Sequence, residues 1–144
     1  MEQTDQQIFI SPAWEQLAKN IQQFDGVAKI FILGGADTGK TALALYLAYT
    51  LSQQVKTGLL DIDPGQSIVG PPSTAGLILL DERNAMLYFP SGLSFFKTTL
   101  APDAMTFIGS TTPVGHLLQS IVGAKKLLEA AIRFKARRIV INSS

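Results

Sequence analysis

The stretch GGADTGKT, from Gly34 to Thr41, places two glycines, a lysine and a threonine directly after the apolar run AKIFIL. This spacing satisfies the pattern G-x-x-x-x-G-K-[ST] in full, at a point where a predicted strand passes into a predicted helix. Glycine lets backbone N–H groups turn toward phosphate oxygens without a Cβ in the way, and the following helix adds its positive N-terminal end. The feature requires a strand, a tight loop and a helix in that order, and it predicts binding of a nucleoside triphosphate.

The phosphate-binding loop (P-loop) assigns a role to its last two residues. We expect Lys40 to reach the β and γ phosphates and the Thr41 hydroxyl to join the shell of a Mg²⁺ ion. The base remains open between ATP and GTP, because no N-K-x-D base-reading motif is present. The loop residues predicted to bind the nucleotide are Gly34, Gly35, Ala36, Asp37, Thr38, Gly39, Lys40 and Thr41.

The rest of the chain alternates apolar strands with helices. Strands are predicted at 27–33, 56–62, 105–108 and 138–141, and helices at 11–24, 41–52 and 115–135. Charged residues make up 16% of the 144 residues, against roughly 25% in typical soluble domains, which favours elements covered on both sides. The pattern predicts an α/β P-loop NTPase: a mostly parallel, doubly wound sheet with helices on both faces.

Further predictions concern turns and chain organisation. Residues 77–80 and 86–89 flank DERNA and are predicted to form a β-hairpin, with Asp81 to Asn84 as its turn. We expect residues 1–26 to form a helical lead-in and 27–144 the P-loop domain. The apolar strand at 138–141 calls for neighbours on both sides, so we also expect a truncated domain whose last strands and lid are missing from these 144 residues.

The segment DIDPGQS, from Asp61 to Ser67, follows the strand after the P-loop helix. Its carboxylates are expected at the same sheet edge as the P-loop, and Asp61 and Asp63 should point to the same side. Carboxylates there can position metal-bound waters or accept a proton from an attacking hydroxyl. The alternative is that one aspartate caps the loop and the other is solvated.

The segment GSTTPVGH, from Gly109 to His116, also lies between a strand and a helix. Thr111 and Thr112 offer hydroxyls and backbone donors in a loop that should face the phosphates, although the same residues would serve as a plain helix cap. His116 is the single histidine, and we interpret it as structural or solvent-facing, because no predicted partner orients it.

Other residues have mostly structural interpretations. Trp14 lies on the apolar face of the first helix and is expected in the core. Basic residues near the C-terminus are interpreted as a solvated face, with Lys125 and Glu129 an i,i+4 pair, although such residues could also meet a phosphodiester backbone. These basic residues are Lys125, Lys126, Arg133, Lys135, Arg137 and Arg138.

Composition excludes several classes of protein. The net charge of +1 gives no global sign of a nucleic-acid or membrane surface. The chain has no cysteine, which excludes disulfides, thiolate metal sites and cysteine nucleophiles. No apolar run approaches the ~20 residues of a membrane span. We therefore expect a cytoplasmic protein that does not contact a membrane, whose protein partners the sequence does not identify.

Taken together, LGGADTGKTALALYLA, LLDIDPGQSIVGPPSTAGL and FIGSTTPVGHL resemble the polynucleotide 5′-hydroxyl-kinase family. That family includes the RNA kinase subunit of the eukaryotic mRNA 3′-end cleavage machinery and the kinase of pre-ribosomal RNA processing. The similarity is to its small archaeal and bacterial members and spans roughly Trp14 to the C-terminus. It implies phosphoryl transfer from ATP, with Mg²⁺, to the 5′-hydroxyl of RNA or DNA.

The resemblance also implies roles for individual residues. Lys40 and Thr41 would hold the triphosphate and Mg²⁺. Asp61 and Asp63 would position the metal and activate the hydroxyl, Asp61 serving with Thr41 as a metal ligand and Gln66 lying beside the nucleotide. Thr111 and Thr112 would form a clasp against the lysine and the phosphates. Lys40, Asp61, Asp63 and Thr112 are the expected catalytic residues.

One departure from the family concerns its lid, whose arginines stabilise the transferring phosphoryl group. The segment that would carry them follows the strand at 138–141, and the 144 residues end before it. By analogy with arginine fingers, losing such groups costs ~10³ or more in rate. We therefore expect these 144 residues alone to bind nucleotide weakly and to turn over poorly.

Two other functions remain compatible with the motifs. A partitioning or metal-delivery ATPase also has an aspartate-rich strand end after its P-loop, but its usual signature lysine would fall at Gly35. A non-catalytic, ATP-holding scaffold in an RNA-processing complex would share Lys40 and Thr41 with a kinase. Mutation of Asp63 separates scaffold from kinase, because a scaffold needs no activated hydroxyl.

Overall fold

The computed structural model describes residues 6–35, 37–89, 94–95 and 100–143. Their elements follow one another along the chain as β1 (Gln6–Gln7), α1 (Pro12–Gln22), β2 (Ala28–Ile32), α2 (Lys40–Ser52), β3 (Thr57–Asp61), β4 (Thr74–Leu80), α3 (Ala85–Tyr88), β5 (Ser94–Phe95), β6 (Ala104–Phe107), α4 (Leu117–Arg133) and β7 (Arg138–Asn142). The strands predicted at 27–33, 56–62, 105–108 and 138–141 and the three long helices are confirmed, with ends that differ by one or two residues.

The main sheet in the described part of the chain has five strands in the order β2-β7-β3-β4-β6. β7 pairs in parallel with both β2 and β3, whereas β4 pairs antiparallel with both β3 and β6. The sheet is therefore mixed, but β2, β7, β3 and β6 run in one direction and only β4 of the five runs against them, which agrees with the predicted mostly parallel sheet. A separate two-stranded pair, β1 with β5, was not predicted.

Helices cover both faces of the sheet, as the alternation of elements predicts. α2 is apolar on nearly all sides and packs on one face, where Leu47 and Leu51 meet Leu59 and Val140. α4 packs on the other face through Leu127 and Ala131. Burial of α2 between the sheet and α1 explains why its sequence has almost no polar face.

α1 has the start predicted for it. Ser11 is the N-cap, its hydroxyl accepts a hydrogen bond from the Trp14 N–H, and Pro12 opens the helix. Trp14 packs on the core, with its ring centroid 5.7 Å from that of Tyr46 on α2. α1 thus joins the core of the P-loop unit, and a separate lead-in over residues 1–26 stays a prediction.

The predicted β-hairpin around DERNA is wrong. Asp81 to Asn84 do form a turn, in which Asp81 Oδ1 accepts the N–H groups of Arg83 and Asn84 and Asn84 Oδ1 accepts that of Asp81. The turn leads into the short helix α3 rather than a returning strand. β4 instead finds its antiparallel partners in β3 and β6, which lie elsewhere in the sequence.

Arg138 does not belong to a solvated basic face. Its side chain is 4% exposed, and its guanidinium donates to the carbonyl oxygens of Ile21, Gln22, Phe24, Gly26 and Arg137. A cation at the C-terminal end of α1 satisfies carbonyls that the helix itself leaves unpaired. By contrast, Lys125 and Glu129 form the exposed i,i+4 pair that the sequence predicts, at 3.8 Å.

No helix in the described part of the chain has the length and apolar character that crossing a membrane requires.

Candidate active site

The three predicted loops converge on one edge of the sheet. The P-loop follows the C-terminal end of β2, the aspartate segment follows β3, and the threonine segment follows β6. β2 and β3 run parallel through β7, and β6 has the same direction because two antiparallel pairings separate it from β3. The carboxyl ends of such strands are where ligands bind in open α/β sheets.

The P-loop is held by contacts of its own. Gly39 caps α2 with φ 82, in the left-handed region that favours glycine, and the cap forms no side-chain hydrogen bond to the helix. A Cβ on Gly34 would lie 2.8 Å from Thr38 Oγ1, so glycine is needed for this close approach. First-turn N–H groups of α2 therefore stay available to an anion. Ala36, a predicted loop residue, lies outside the described residues.

Lys40 lies against the loop that it is predicted to serve. Its Nζ atom donates to the carbonyl oxygens of Gly34 (2.8 Å) and Gly35 (2.6 Å). An ammonium group has three donors, so one remains for a phosphate oxygen in this position. Thr41 is half-buried in the first turn of α2, while Asp37 is exposed and has φ 55.

Asp61 is buried and acts as the organiser of the loop that follows it. The residue is 0% exposed. Its Oδ2 atom accepts the backbone N–H groups of Ile68 (2.6 Å) and Val69 (3.2 Å), and its Oδ1 atom accepts that of Asp63 (3.1 Å). In this geometry Asp61 caps the loop that follows it, as the alternative interpretation has it for one of the two aspartates.

The electrostatics of Asp61 also reflect this burial. Desolvation raises the pKa of Asp61 from 3.8 to about 6, against the opposing effect of the backbone N–H groups that stabilise the carboxylate. The charge of Asp63 adds a smaller upward contribution. Asp61 is therefore a carboxyl group that is buried away from water and is stabilised by hydrogen bonds from the backbone.

Asp63 is placed differently although it is two residues away. It is half-buried, and its Oδ1 atom accepts the N–H groups of Gly65 (3.1 Å) and Gln66 (3.1 Å) in a tight turn. In the described part of the chain no hydrogen bond ends on its Oδ2 atom. Of the two predicted carboxylates, Asp63 is thus the one with an oxygen free to act on a ligand.

The aspartate and threonine segments touch through their backbones. A Cβ on Gly65 would lie 2.7 Å from the Thr111 carbonyl oxygen, so the loops could not approach this closely with a larger residue. Thr111, Thr112 and Gln66 are all exposed. Thr112 Oγ1 accepts the Val114 N–H (3.3 Å), and its own N–H donates to Ser110 Oγ (3.2 Å), which shapes the loop.

His116 occupies a structural position, in agreement with its interpretation from the sequence. It stands at the N-cap of α4, is half-buried, and forms no side-chain capping bond. Its backbone carbonyl accepts both the N–H and the hydroxyl of Ser120.

The sequence analysis does not identify Asn142, which directly follows the strand predicted at 138–141. Asn142 ends β7, between the P-loop strand and the strand of Asp61, and its side chain is 1% exposed. Its Nδ2 atom donates to Asp61 Oδ1 at 3.4 Å. The sequence signal was a polar residue at the end of the apolar run RIVI, where the strand reaches the same sheet edge as the P-loop.

With this geometry established, comparison with known proteins is informative. Residues 34–144 match the family described as the mRNA cleavage and polyadenylation factor CLP1 P-loop. The chain belongs to the CLP1 P-loop family. The match contains all three converging loops, so the predicted resemblance and the α/β P-loop class are confirmed.

Curated relatives of this CLP1 P-loop chain are archaeal enzymes. It is 33% identical to the polyribonucleotide 5′-hydroxyl-kinase of Pyrococcus horikoshii over 118 residues. The aligned residues are 81% of this chain and 30% of that relative. The corresponding kinase of Pyrococcus furiosus is 35% identical over 121 residues, 83% of the chain and 31% of the relative. The polyribonucleotide 5′-hydroxyl-kinase of Methanocaldococcus jannaschii is 33% identical over 117 residues, which are 81% of this chain and 29% of that relative.

The CLP1 P-loop chain therefore spans about 30% of the length of these relatives. The names of the relatives describe the longer proteins. The individual roles of Lys40, Thr41, Asp61, Asp63, Gln66, Thr111 and Thr112 stay predictions.

Proposed function

We propose that the protein to which this chain belongs transfers a phosphoryl group from ATP to the 5′-hydroxyl end of RNA or DNA, with Mg²⁺. The proposal rests above all on one observation: a P-loop, an aspartate with a free carboxylate oxygen and a threonine loop meet at one sheet edge. Relatives named polyribonucleotide 5′-hydroxyl-kinases support the choice of acceptor.

Phosphoryl transfer requires alignment and charge neutralisation more than covalent chemistry from the protein. The N–H groups of the P-loop and the first turn of α2 would bind the phosphates, and the third donor of Lys40 would neutralise charge near the transferred group. Thr41 would contribute its hydroxyl to the Mg²⁺ shell. Bound there, Mg²⁺ supplies charge stabilisation on the triphosphate.

Asp63 is the residue that we assign to the acceptor hydroxyl. Its Oδ1 atom is held by two N–H groups, which fixes the carboxylate, while Oδ2 can accept the proton or orient the hydroxyl. Asp61 contributes indirectly, because its hydrogen bonds hold the segment that carries Asp63. We therefore propose Asp61 as a positioning residue and not as a direct metal ligand.

We assign the clasp over the phosphates to Thr111 and Thr112. Their loop is exposed and is joined to the aspartate segment by the close approach of Gly65 to the Thr111 carbonyl. Gln66, next to that contact and exposed, would face the same cleft. These roles depend on the nucleotide bound at Lys40.

The test of this function is labelling of the 5′ end. The natural full-length protein is incubated with 5′-hydroxyl RNA or DNA oligonucleotides, Mg²⁺ and ATP labelled at the γ position, with GTP in a parallel reaction. We expect label at the 5′ end, and none when the oligonucleotide already carries a 5′-phosphate. Failure to label any 5′-hydroxyl end would refute the proposal.

The matched pair Asp63→Asn and Asp25→Asn separates the kinase from a scaffold that only holds ATP. Asn at 63 keeps an oxygen for the Gly65 and Gln66 N–H groups but removes the charge, whereas Asp25 is exposed and precedes β2 at the far end from the P-loop. We expect Asp63→Asn to lower turnover by about 10² or more, in the range of general-base catalysis, with ATP binding retained. Equal turnover in the two variants would contradict the role of Asp63.

A further inference from the structure

The side chain of Asn142 contains a buried oxygen that the described residues leave without a hydrogen-bond donor. Asn142 Oδ1 is buried and unpaired, while Nδ2 donates to Asp61 Oδ1 at 3.4 Å. Buried polar atoms in native proteins are paired as a rule, and each exception requires an explanation. An apolar side chain at the end of the run RIVI would have avoided the cost altogether.

Asn142 stands at the end of the sheet from which the P-loop leaves. In the sheet register Asn142 lies opposite both Ile32, two residues before Gly34, and Asp61. It shares a sheet face with Val140, which packs in the cluster that contains Ala44 of α2. Asn142 therefore lies on the face covered by α2, at the end where α2 begins.

The orientation of the amide is set by its surroundings. Asp61 as a carboxylate accepts hydrogen bonds only, so the Nδ2 group of Asn142 must face it and Oδ1 must point elsewhere. The backbone is fixed as well, because the Asn142 carbonyl accepts the Ile62 N–H (2.9 Å) and Ser143 Oγ donates to the Ile32 carbonyl (3.2 Å). A hydrogen-bond donor for Oδ1 must therefore come from a group that binds at the site, because the amide itself is held in place.

We propose that Asn142 is a positioning residue of the phosphoryl-transfer site, whose Oδ1 accepts a hydrogen bond from the hydrated Mg²⁺–nucleotide at the P-loop while its Nδ2 holds Asp61. The inference rests on the proposed function in that the P-loop takes a Mg²⁺–nucleotide. Bound water or a hydroxyl brought by the ligand supplies the missing donor. Asn142 then links the P-loop strand, the aspartate strand and the metal shell.

The test measures how much Mg²⁺ strengthens nucleotide binding, independently of turnover. A fluorescent ATP analogue is titrated into the 144-residue chain with Mg²⁺ and with EDTA, for the wild type and Asn142→Leu. The control is Thr57→Val, which removes another fully buried polar group at the opposite end of β3, where Thr57 Oγ1 donates to the Val55 carbonyl.

We expect Asn142→Leu to lose about fivefold of the Mg²⁺-dependent gain in affinity, the worth of one hydrogen bond, with affinity in EDTA nearly unchanged. Thr57→Val should leave the Mg²⁺-dependent gain unaltered. If Asn142→Leu does not fold, Asn142→Ser, whose oxygen is set back by one atom, should show the same loss.

A purely structural Asn142 would lower stability and leave the Mg²⁺ gain as in Thr57→Val, and that result overturns the inference. So does a wild type whose nucleotide affinity does not respond to Mg²⁺. A protein that shows the predicted Mg²⁺ coupling but labels no 5′-hydroxyl end would refute the proposed function alone.

Discussion

Replacing Asp61 with asparagine tests the energetics of the buried carboxylate directly. Burial raises the pKa of Asp61 from 3.8 to about 6, so the folded protein holds this proton more tightly than the unfolded chain does. Stability from this group is therefore fully present below pH 3.8, decreases as the pH rises, and is lost above about pH 6. The difference, 6 minus 3.8 or 2.2 pH units, corresponds to about 3 kcal/mol.

Asparagine cannot ionise, so its own contribution to stability does not change with pH. At position 61 its Oδ1 atom can still accept the N–H groups of Ile68 and Val69, while its Nδ2 group faces both the Asp63 N–H and the Asn142 amide. The Asn142 amide can turn its oxygen toward the new Nδ2 group, whereas the Asp63 N–H is left unpaired. We expect Asp61→Asn to be the less stable protein at pH 4 by about 1 kcal/mol, the cost of that unpaired group. At pH 7 we expect it to be the more stable by about 2 kcal/mol, once the roughly 3 kcal/mol of charge burial is removed.

Urea unfolding between pH 4 and pH 8 provides the measurement. The fluorescence of Trp14, the single tryptophan, reports on the core because its ring packs on Tyr46. The quantity compared is the free energy of unfolding of the wild type minus that of the variant, in which other titrating groups cancel. Thr57→Val is the control and should give a pH-independent difference. A flat difference for Asp61→Asn, or one that grows with pH, would refute the reasoning.

Three further predictions concern other residues. Lys40→Ala removes the charged donor of the P-loop, and we expect ATP binding, measured by calorimetry, to weaken by about 10- to 100-fold; unchanged affinity would contradict its role. Gly65→Ala puts a Cβ 2.7 Å from the Thr111 carbonyl oxygen, so we expect turnover to fall along with about 1–3 kcal/mol of stability. Gly26→Ala is the control, because its Cβ meets no atom within 4 Å while its φ of +87 strains any side chain; it lies before β2, away from the P-loop, and should lose stability but retain turnover. Arg138→Met leaves five carbonyls without their donor and should cost at least about 2 kcal/mol in urea unfolding, with nucleotide affinity unchanged; a wild-type stability would show that these bonds are dispensable.

Local signals in the sequence were sufficient for the elements and for the P-loop. The run from Gly34 to Thr41 places strand, loop and helix within a few residues, so its structure depends little on distant contacts. The segment around DERN was less informative, because two apolar runs with a turn between them predict a hairpin. The turn formed, but β4 paired with β3 and β6, whose residues are distant in sequence from that turn. Strand partners are a property of the assembled sheet.

By itself, the sequence determined the P-loop, the alternation of strands and helices, and the membership of the family, because each depends on residue type at short spacing. Tertiary structure decided the different environments of Asp61 and Asp63, the burial of Arg138 and the position of Asn142 beside Asp61. Two aspartates that are two residues apart on one side of a strand end look equivalent until the donors around them are known. For Asp61 those donors include the N–H groups of Ile68 and Val69 and the amide of Asn142. Burial and hydrogen-bond partners are set by groups far apart in the chain, and folding alone brings them together.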